Sequence, residues 1–233
     1  MSQKIAAKIR SALRQNSDQK QAASLKKYFK EPIKCYGLKV PQCRAVAKQF
    51  YPLVSGNIDL TIEVADRLLR SGFMEEAFVA VELLKRIARR LEPEHFSTID
   101  RWVDYLTNWA NTDDLSAHII GDLITRHPDR IRKLVQWTSS PNLWRRRAAA
   151  VSLVLPARRG MFLKEVLAIA DRLMDDQDDM VQKGVGWVLK EASVQHQQEI
   201  HQYLLKWKTK ASALTLRYAS EKLPKTKKVL KTK

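Results

Sequence analysis

Apolar residues recur along this chain three and four positions apart with few interruptions, the period of amphipathic helices rather than of strands. The pattern predicts helices over 3–15, 19–29, 41–53, 58–70, 74–91, 96–110, 113–126, 128–138, 141–154, 161–175, 178–194, 197–207 and 210–222. Turn chemistry falls between them, at Ser55-Gly56-Asn57, Ser71-Gly72, Glu92-Pro93, Asn111-Thr112, His127-Pro128, Ser139-Ser140-Pro141 and Arg159-Gly160. With 7 Gly and 8 Pro among 233 residues, a turn-rich β protein is excluded. The expected class is all-α, with a single domain over 1–222 and a basic, mobile tail over 223–233.

Short helices joined by short turns predict a repeat array. Setting the segment that begins SPNLWRRRAAAVSL beside the one that begins DDMVQKGVGWVLKE, with Trp144 on Val181, aligns Trp144, Ala148, Val151 and Leu155 with Val181, Val185, Val188 and Ala192. The offset, from 144 to 181, is 37 residues and suits a two-helix HEAT-like repeat, although two unrelated amphipathic helices would also align at this period. The expected architecture is a HEAT-like solenoid, an α-α superhelix with a concave face of a size to hold a nucleic-acid duplex.

Three predicted helices carry unusual side chains beside their core stripes. In 178–194 the stripe is Val181, Val185, Val188 and Ala192, and Trp187 lies about 120° from Val181, near Lys183. A Trp placed there either lines a cleft or packs on the next repeat. In 141–154 Leu143, Arg147, Ala150 and Val154 form one row, so Arg147 needs an anionic partner or a cavity. Its neighbours Arg145 and Arg146 are expected to point to solvent. In 96–110 Ile99, Val103, Leu106 and Ala110 form the core stripe, with Trp102, Tyr105 and Trp109 as an aromatic row beside it. Asp113 follows Trp109 by four residues. If the helix continues, the two share a face. If Asn111-Thr112 caps a new helix, Asp113 sits in its first turn, where the helix dipole keeps it ionised. Either way an anion stands beside an indole.

Charge narrows the function. Lys and Arg number 42 against 25 Asp and Glu, a net +17. Such a surplus costs self-repulsion and predicts a large anionic partner, with nucleic acid favoured over a generally basic surface. Cys35 and Cys43 fit no zinc spacing and are too few for a secreted disulfide scaffold. The five His show no metal-ligand spacing, and there is no P-loop or GxGxxG. Asp175-Asp176 and Asp178-Asp179 are expected to cap the helix after them rather than to bind metal. No cofactor or metal is expected. The start, MSQKIAAKIR, lacks the apolar stretch of a signal peptide, and no apolar run approaches the roughly 18 residues of a membrane span. The expectation is a soluble, cytoplasmic monomer, associated with the nucleoid when bound to DNA.

The stretches NWANTDD, IIGDLITRHPDRI, QWTSSPNLWRRRAAAVSL and VQKGVGWVLKEAS resemble the DNA alkylation repair enzymes of the AlkD type, the HEAT-like alkylpurine DNA glycosylases. A weaker resemblance covers KYFK at 27–30 and YGLKVPQCR at 36–44, while Glu31-Pro32-Ile33-Lys34 departs from the expected aromatic or apolar residues. Carried onto this chain, the family's active-site set of two Trp, an Asp and an Arg falls on Trp109, Asp113, Arg147 and Trp187, all present. The resemblance implies hydrolysis of the N-glycosidic bond of N3- or N7-alkylated purines, such as 3-methyladenine and 7-methylguanine, in duplex DNA. It also implies that the lesion stays in the duplex while the protein contacts the sugar-phosphate backbone.

These bases are cationic and leave readily, so the catalyst must chiefly stabilise positive charge moving onto the sugar. Asp113 could do this, with Trp109 and Trp187 offering π faces. Arg147 would repel that cation and is better suited to a bidentate grip on a phosphate. Arg145, Arg146, Lys183 and Tyr28 are the further candidates for DNA contact. No Lys can be nominated as a Schiff-base nucleophile, so a monofunctional enzyme that leaves an abasic site is expected. The competing readings are a non-catalytic HEAT-like module that binds DNA by shape and backbone, and a scaffold for acidic proteins.

Overall fold

The computed structural model describes residues 1–231, and every regular element among them is helical. A single isolated bridge, Lys34 to Phe73, lies beside the helices. The chain divides into two compact units, Met1–Leu115 and the residues from Ser116 onward.

In the first unit the helices are α1 (Ser2–Gln15), α2 (Gln19–Tyr28), α3 (Val40–Phe50), α4 (Ile58–Leu69), α5 (Met74–Lys85), α6 (Phe96–Trp102) and α7 (Trp109–Leu115). Several begin at a side-chain cap. Asp18 accepts from the backbone N–H groups of Lys20 and Gln21, and Asn57 from that of Leu60. The core lies where α1, α4 and α5 meet, around Ile9, Leu13, Val64, Leu68, Leu83 and Leu84.

The predicted helix over 96–110 is two elements. A 3₁₀ turn, Val103–Tyr105, follows α6, and the chain is extended at Leu106. Asn108 then starts α7: its side-chain oxygen accepts from the Asn111 N–H at 3.0 Å. An Asn competing for backbone donors ends one helix and caps the next. The aromatic row is divided as a result. Trp102 is fully buried and donates from its indole N–H to Asp66, while Tyr105 lies under the Arg70 guanidinium.

In the second unit a π-helical turn, Ser116–Ile120, precedes α8 (Gly121–Arg126). It continues with α9 (Ile131–Trp137), α10 (Leu143–Val151), α11 (Val154–Arg158), α12 (Leu163–Leu173), α13 (Asp179–Ala192), α14 (Gln197–Trp207) and α15 (Ala213–Ala219). The predicted helix over 141–154 breaks at Ser152. The Ser152 hydroxyl bonds back to the Ala148 carbonyl, and Pro156 has no N–H for the carbonyl four residues before it. The fourth position of the repeat alignment fails there: Leu155 lies in a new helix and is partly exposed, whereas Ala192 is buried. The central helix of this unit is α13, packed against α10, α11, α12 and α15 through Val181, Val185, Val188 and Ala192.

Residues 223–231, expected to form a loose tail, pack back on the second unit. Leu223 and Val229 are buried. Ser220 and Val229 exchange two hydrogen bonds, and a His201 ring nitrogen lies 2.8 Å from the Lys227 carbonyl. Two apolar residues in a lysine-rich segment are enough to dock it. The last two residues of the expected tail lie outside the described residues. Among the described residues no helix is long and apolar enough to cross a membrane.

Candidate functional site

Two sets of the predicted residues come together, one in each unit. In the first unit the centre is Trp109, the first residue of α7 and half-buried. Phe29 stacks on its ring, with centroids 5.4 Å apart and planes 22° from parallel. Tyr28 meets the same ring nearer edge-on at 6.3 Å and is 70% exposed. Asp113 is half-buried, one turn after Trp109 on the same face of α7. Neither expected alternative holds as stated: the helix over 96–110 does not continue, and the new helix starts at Trp109 rather than after Asn111-Thr112, which puts Trp109 and Asp113 on one face and Asp113 in the second turn of α7. Its neighbour Asp114 is held by Lys85 at 2.5 Å.

Both walls of this aromatic cluster are tied to the start of α5. On the α7 side, Asn111 donates from its side-chain amide to the Met74 carbonyl at 3.0 Å. On the other side, Glu75 is buried and accepts from three successive backbone N–H groups, those of Tyr36, Gly37 and Leu38. That loop backs α2: the Asp18 N–H donates to the Tyr36 carbonyl, and Gly37, at φ 86°, faces Asp18 so closely that a Cβ would lie 2.1 Å from its carbonyl oxygen. Glu76 accepts from the Tyr36 hydroxyl and pairs with Arg10. Burial and the Glu76 contact push the Tyr36 hydroxyl up to about 12, and burial followed by the Glu75 charge pushes the Cys43 thiol up to about 12.

In the second unit Arg147 is buried, 5% exposed, between α10 and α13. Its guanidinium donates to the Met180 carbonyl, and its stem lies over Gly184, where a Cβ would come within 3.2 Å of Cγ. At about 100° per residue Met180, Gly184 and Trp187 form one row on α13, so Arg147 lies along the row that ends in the half-buried Trp187. Lys183, one turn before Trp187, is paired with Asp179 at 3.2 Å.

The other two arginines do not stand free in solvent. Arg146 makes a two-point contact with Asp176, at 2.6 and 3.3 Å, and also donates to the carbonyls of Ser140 and Pro141. Arg145 lies over the Trp137 ring at 5.3 Å. Asp176 is thereby an arginine clamp, while Asp178 caps α13 by accepting from the Met180 N–H.

Sequence reasoning missed Phe29, Glu75, Asn111 and Gly184. The sequence signal for Gly184 is plain in retrospect. Two glycines, Gly184 and Gly186, stand inside one helix, where each costs roughly 1 kcal/mol relative to Ala. A cost of that kind implies a close approach by something. Phe29 carries no such signal.

The sequence profile of a family described as DNA alkylation repair enzyme matches residues 9–223. Among solved structures, a predicted DNA alkylation repair enzyme from Enterococcus faecalis is similar with a TM-score of 0.80 and 18% identity, over 90% of this chain and 97% of that one. AlkD2 from Streptococcus mutans is similar with a TM-score of 0.61 and 21% identity, over 80% and 91% of the two chains. At these identities the structural likeness speaks to the fold. No curated protein matches the chain in sequence.

Proposed function

Because the chain belongs to the DNA alkylation repair enzyme family, we propose that it is a monofunctional DNA glycosylase acting on cationic alkylated purines, 3-methyladenine and 7-methylguanine, in duplex DNA. The observation that carries this reading is a carboxylate, Asp113, one helical turn from an indole, Trp109, whose ring is braced by Phe29. In a chain of net charge +17 this carboxylate supplies local negative charge beside an aromatic ring, the pairing that a cationic substrate calls for.

In the reaction the bond from C1′ to the base nitrogen breaks, and its electron pair neutralises the cationic base. The sugar becomes oxocarbenium-like, and water adds to C1′ with loss of a proton. Asp113 opposes the positive charge on the sugar and orients the water. At about 4 Å and an effective dielectric near 20 it contributes on the order of 4 kcal/mol. Trp109 and Trp187 add roughly 2 kcal/mol each where water is excluded. Since Phe29 covers one face of Trp109, the opposite face is the one left for substrate. Arg147 grips a phosphate, with its guanidinium orientation set by Met180. Lys183, Arg145, Arg146 and Tyr28 add backbone contacts; Arg146 does so only by loosening its hold on Asp176. In this reading the helices are HEAT-like repeats whose inner face carries the duplex.

The test is chromatography of bases released from methylated duplex DNA. Asp113→Asn should lose base release by about a hundredfold or more while keeping duplex affinity. Full activity in that variant overturns the mechanism. Tight duplex binding by the wild type with no base release leaves the non-catalytic module as the reading.

A further inference from the structure

The second unit holds a cleft of about 400 Å³ that none of the roles above uses. One wall is the π-helical turn and the start of α8, with His118, Gly121 and Asp122; the other is the end of α11, with Leu155, Arg158 and Arg159. Two features mark it. A π turn is a rare, locally widened stretch of helix that is frequent at functional sites. Gly121 then lets α8 close on the break between α10 and α11, since a Cβ there would lie 2.7 Å from the Ser152 carbonyl oxygen.

The charges in the cleft do not cancel. Asp122 is matched by Arg126 at 3.1 Å on its own helix. Arg158 reaches Glu191 only at 3.8 Å with its side chain 64% exposed, and Glu191 is already paired with Lys222 at 2.6 Å. Arg159 is exposed beside it. Two adjacent guanidinium groups at the mouth of a cleft suit a phosphate, whose oxygens match their planar forks.

We propose that this cleft is a phosphate-binding site, in which Arg158 and Arg159 grip a backbone phosphodiester of the DNA duplex away from the lesion. The proposal rests on the DNA-binding half of the reading above and not on base release.

The experiment compares Arg158→Gln/Arg159→Gln with a charge-matched control on α12, Lys164→Gln/Arg172→Gln, for binding to an undamaged duplex across a salt series. All four side chains are exposed, and unchanged melting temperatures confirm that both variants fold. The cleft variant should bind about tenfold or more weakly, and its plot of log affinity against log salt should be shallower by roughly 0.9 per lost phosphate contact. The control should behave like the wild type. Equal weakening in both variants overturns the proposal, because net charge alone then explains it. Wild-type behaviour of the cleft variant, with Arg Nε–H signals of the cleft saturated by inorganic phosphate alone, assigns the site to a free phosphate and overturns the DNA source. Base release is scored separately: a wild type that shows the salt slope but releases no base sinks the glycosylase reading and leaves the cleft standing.

Discussion

Trp109 and Arg147 are each braced by a neighbour, but by different means. Trp109 is held by a ring, Phe29, that arrives from the other end of its unit on a loop anchored by Glu75. Arg147 is held by the facing helix, in a slot that exists because position 184 has no side chain. A ring stack is a broad contact that degrades gradually when one partner shrinks. A guanidinium seated against a backbone carbonyl has one good position. The aromatic half of the proposed machinery should therefore tolerate change better than the arginine half.

The sharpest way to break that contrast is to remove the guanidinium. Arg147→Met keeps most of the buried volume but loses the charge and the fork. Base release should fall by about tenfold to a hundredfold, the loss of one charge-assisted contact or more. Arg147→Lys should recover little of it, since a point charge cannot reproduce a two-point grip. Full rescue by Lys would show that charge alone matters and that the slot over Gly184 has no directing role. Single-turnover rates on methylated duplex measure both.

Phe29→Leu should cost less. The stack is worth about 0.5–1.5 kcal/mol beyond the area it buries, so base release should slow by roughly threefold to tenfold with duplex affinity unchanged. Phe29→Tyr should keep the stack and the rate. A fall in affinity equal to the fall in rate would make Phe29 a general packing residue. The indole N–H signal of Trp109, assigned by its loss in Trp109→Phe, gives an independent readout, because it should shift in Phe29→Leu whatever the activity does.

These two braces also show what could be read from sequence. Helix α13 is predicted within two residues at each end, because its apolar stripe, its Asp178 cap and its length agree. Arg147 stood out as an ion in a row of small apolar residues, and it is buried. Periodicity carried the reading too far over 96–110, where Asn108 overrides a continuing apolar pattern, and at Ser152, where a hydroxyl and a proline act together. Phe29 lies in the KYFK stretch of the weaker resemblance, but its stacking on Trp109 is not legible there. Its partner is set by the tertiary path of the 29–38 loop, and that path depends on a Glu75 that looks from sequence like an ordinary acid in a helix's first turn.

A smaller effect separates brace from stability. Gly184→Ala adds helix propensity worth up to about 1 kcal/mol, while its Cβ would crowd the Arg147 stem at 3.2 Å. A shift of a few tenths of an ångström is within the reach of a flexible stem. Thermal stability should therefore hold or rise slightly, while base release falls a few-fold through a displaced guanidinium. Lower stability with unchanged activity would mean that Gly184 serves packing only.

The anchoring of the aromatic half has its own signature, in alkali. The thiol of Cys43 is pushed up to about 12 and the hydroxyl of Tyr36 to about 12, from ordinary values of 9.0 and 10.0. Between those limits the unfolded chain has lost protons that the folded chain still holds. Stability must therefore fall as pH rises, with the loss beginning near pH 9 and continuing towards 12. Cys43→Ala removes the earlier of the two contributions and should make the fall shallower from pH 9 upward, at the cost of a small constant loss from the missing sulfur. Tyr36→Phe should leave the onset alone and flatten only the part above pH 10. Urea unfolding at stepped pH, followed by near-ultraviolet circular dichroism, separates the two. The same slope in both variants as in the wild type would mean that neither group keeps its proton in the folded chain beyond its ordinary range.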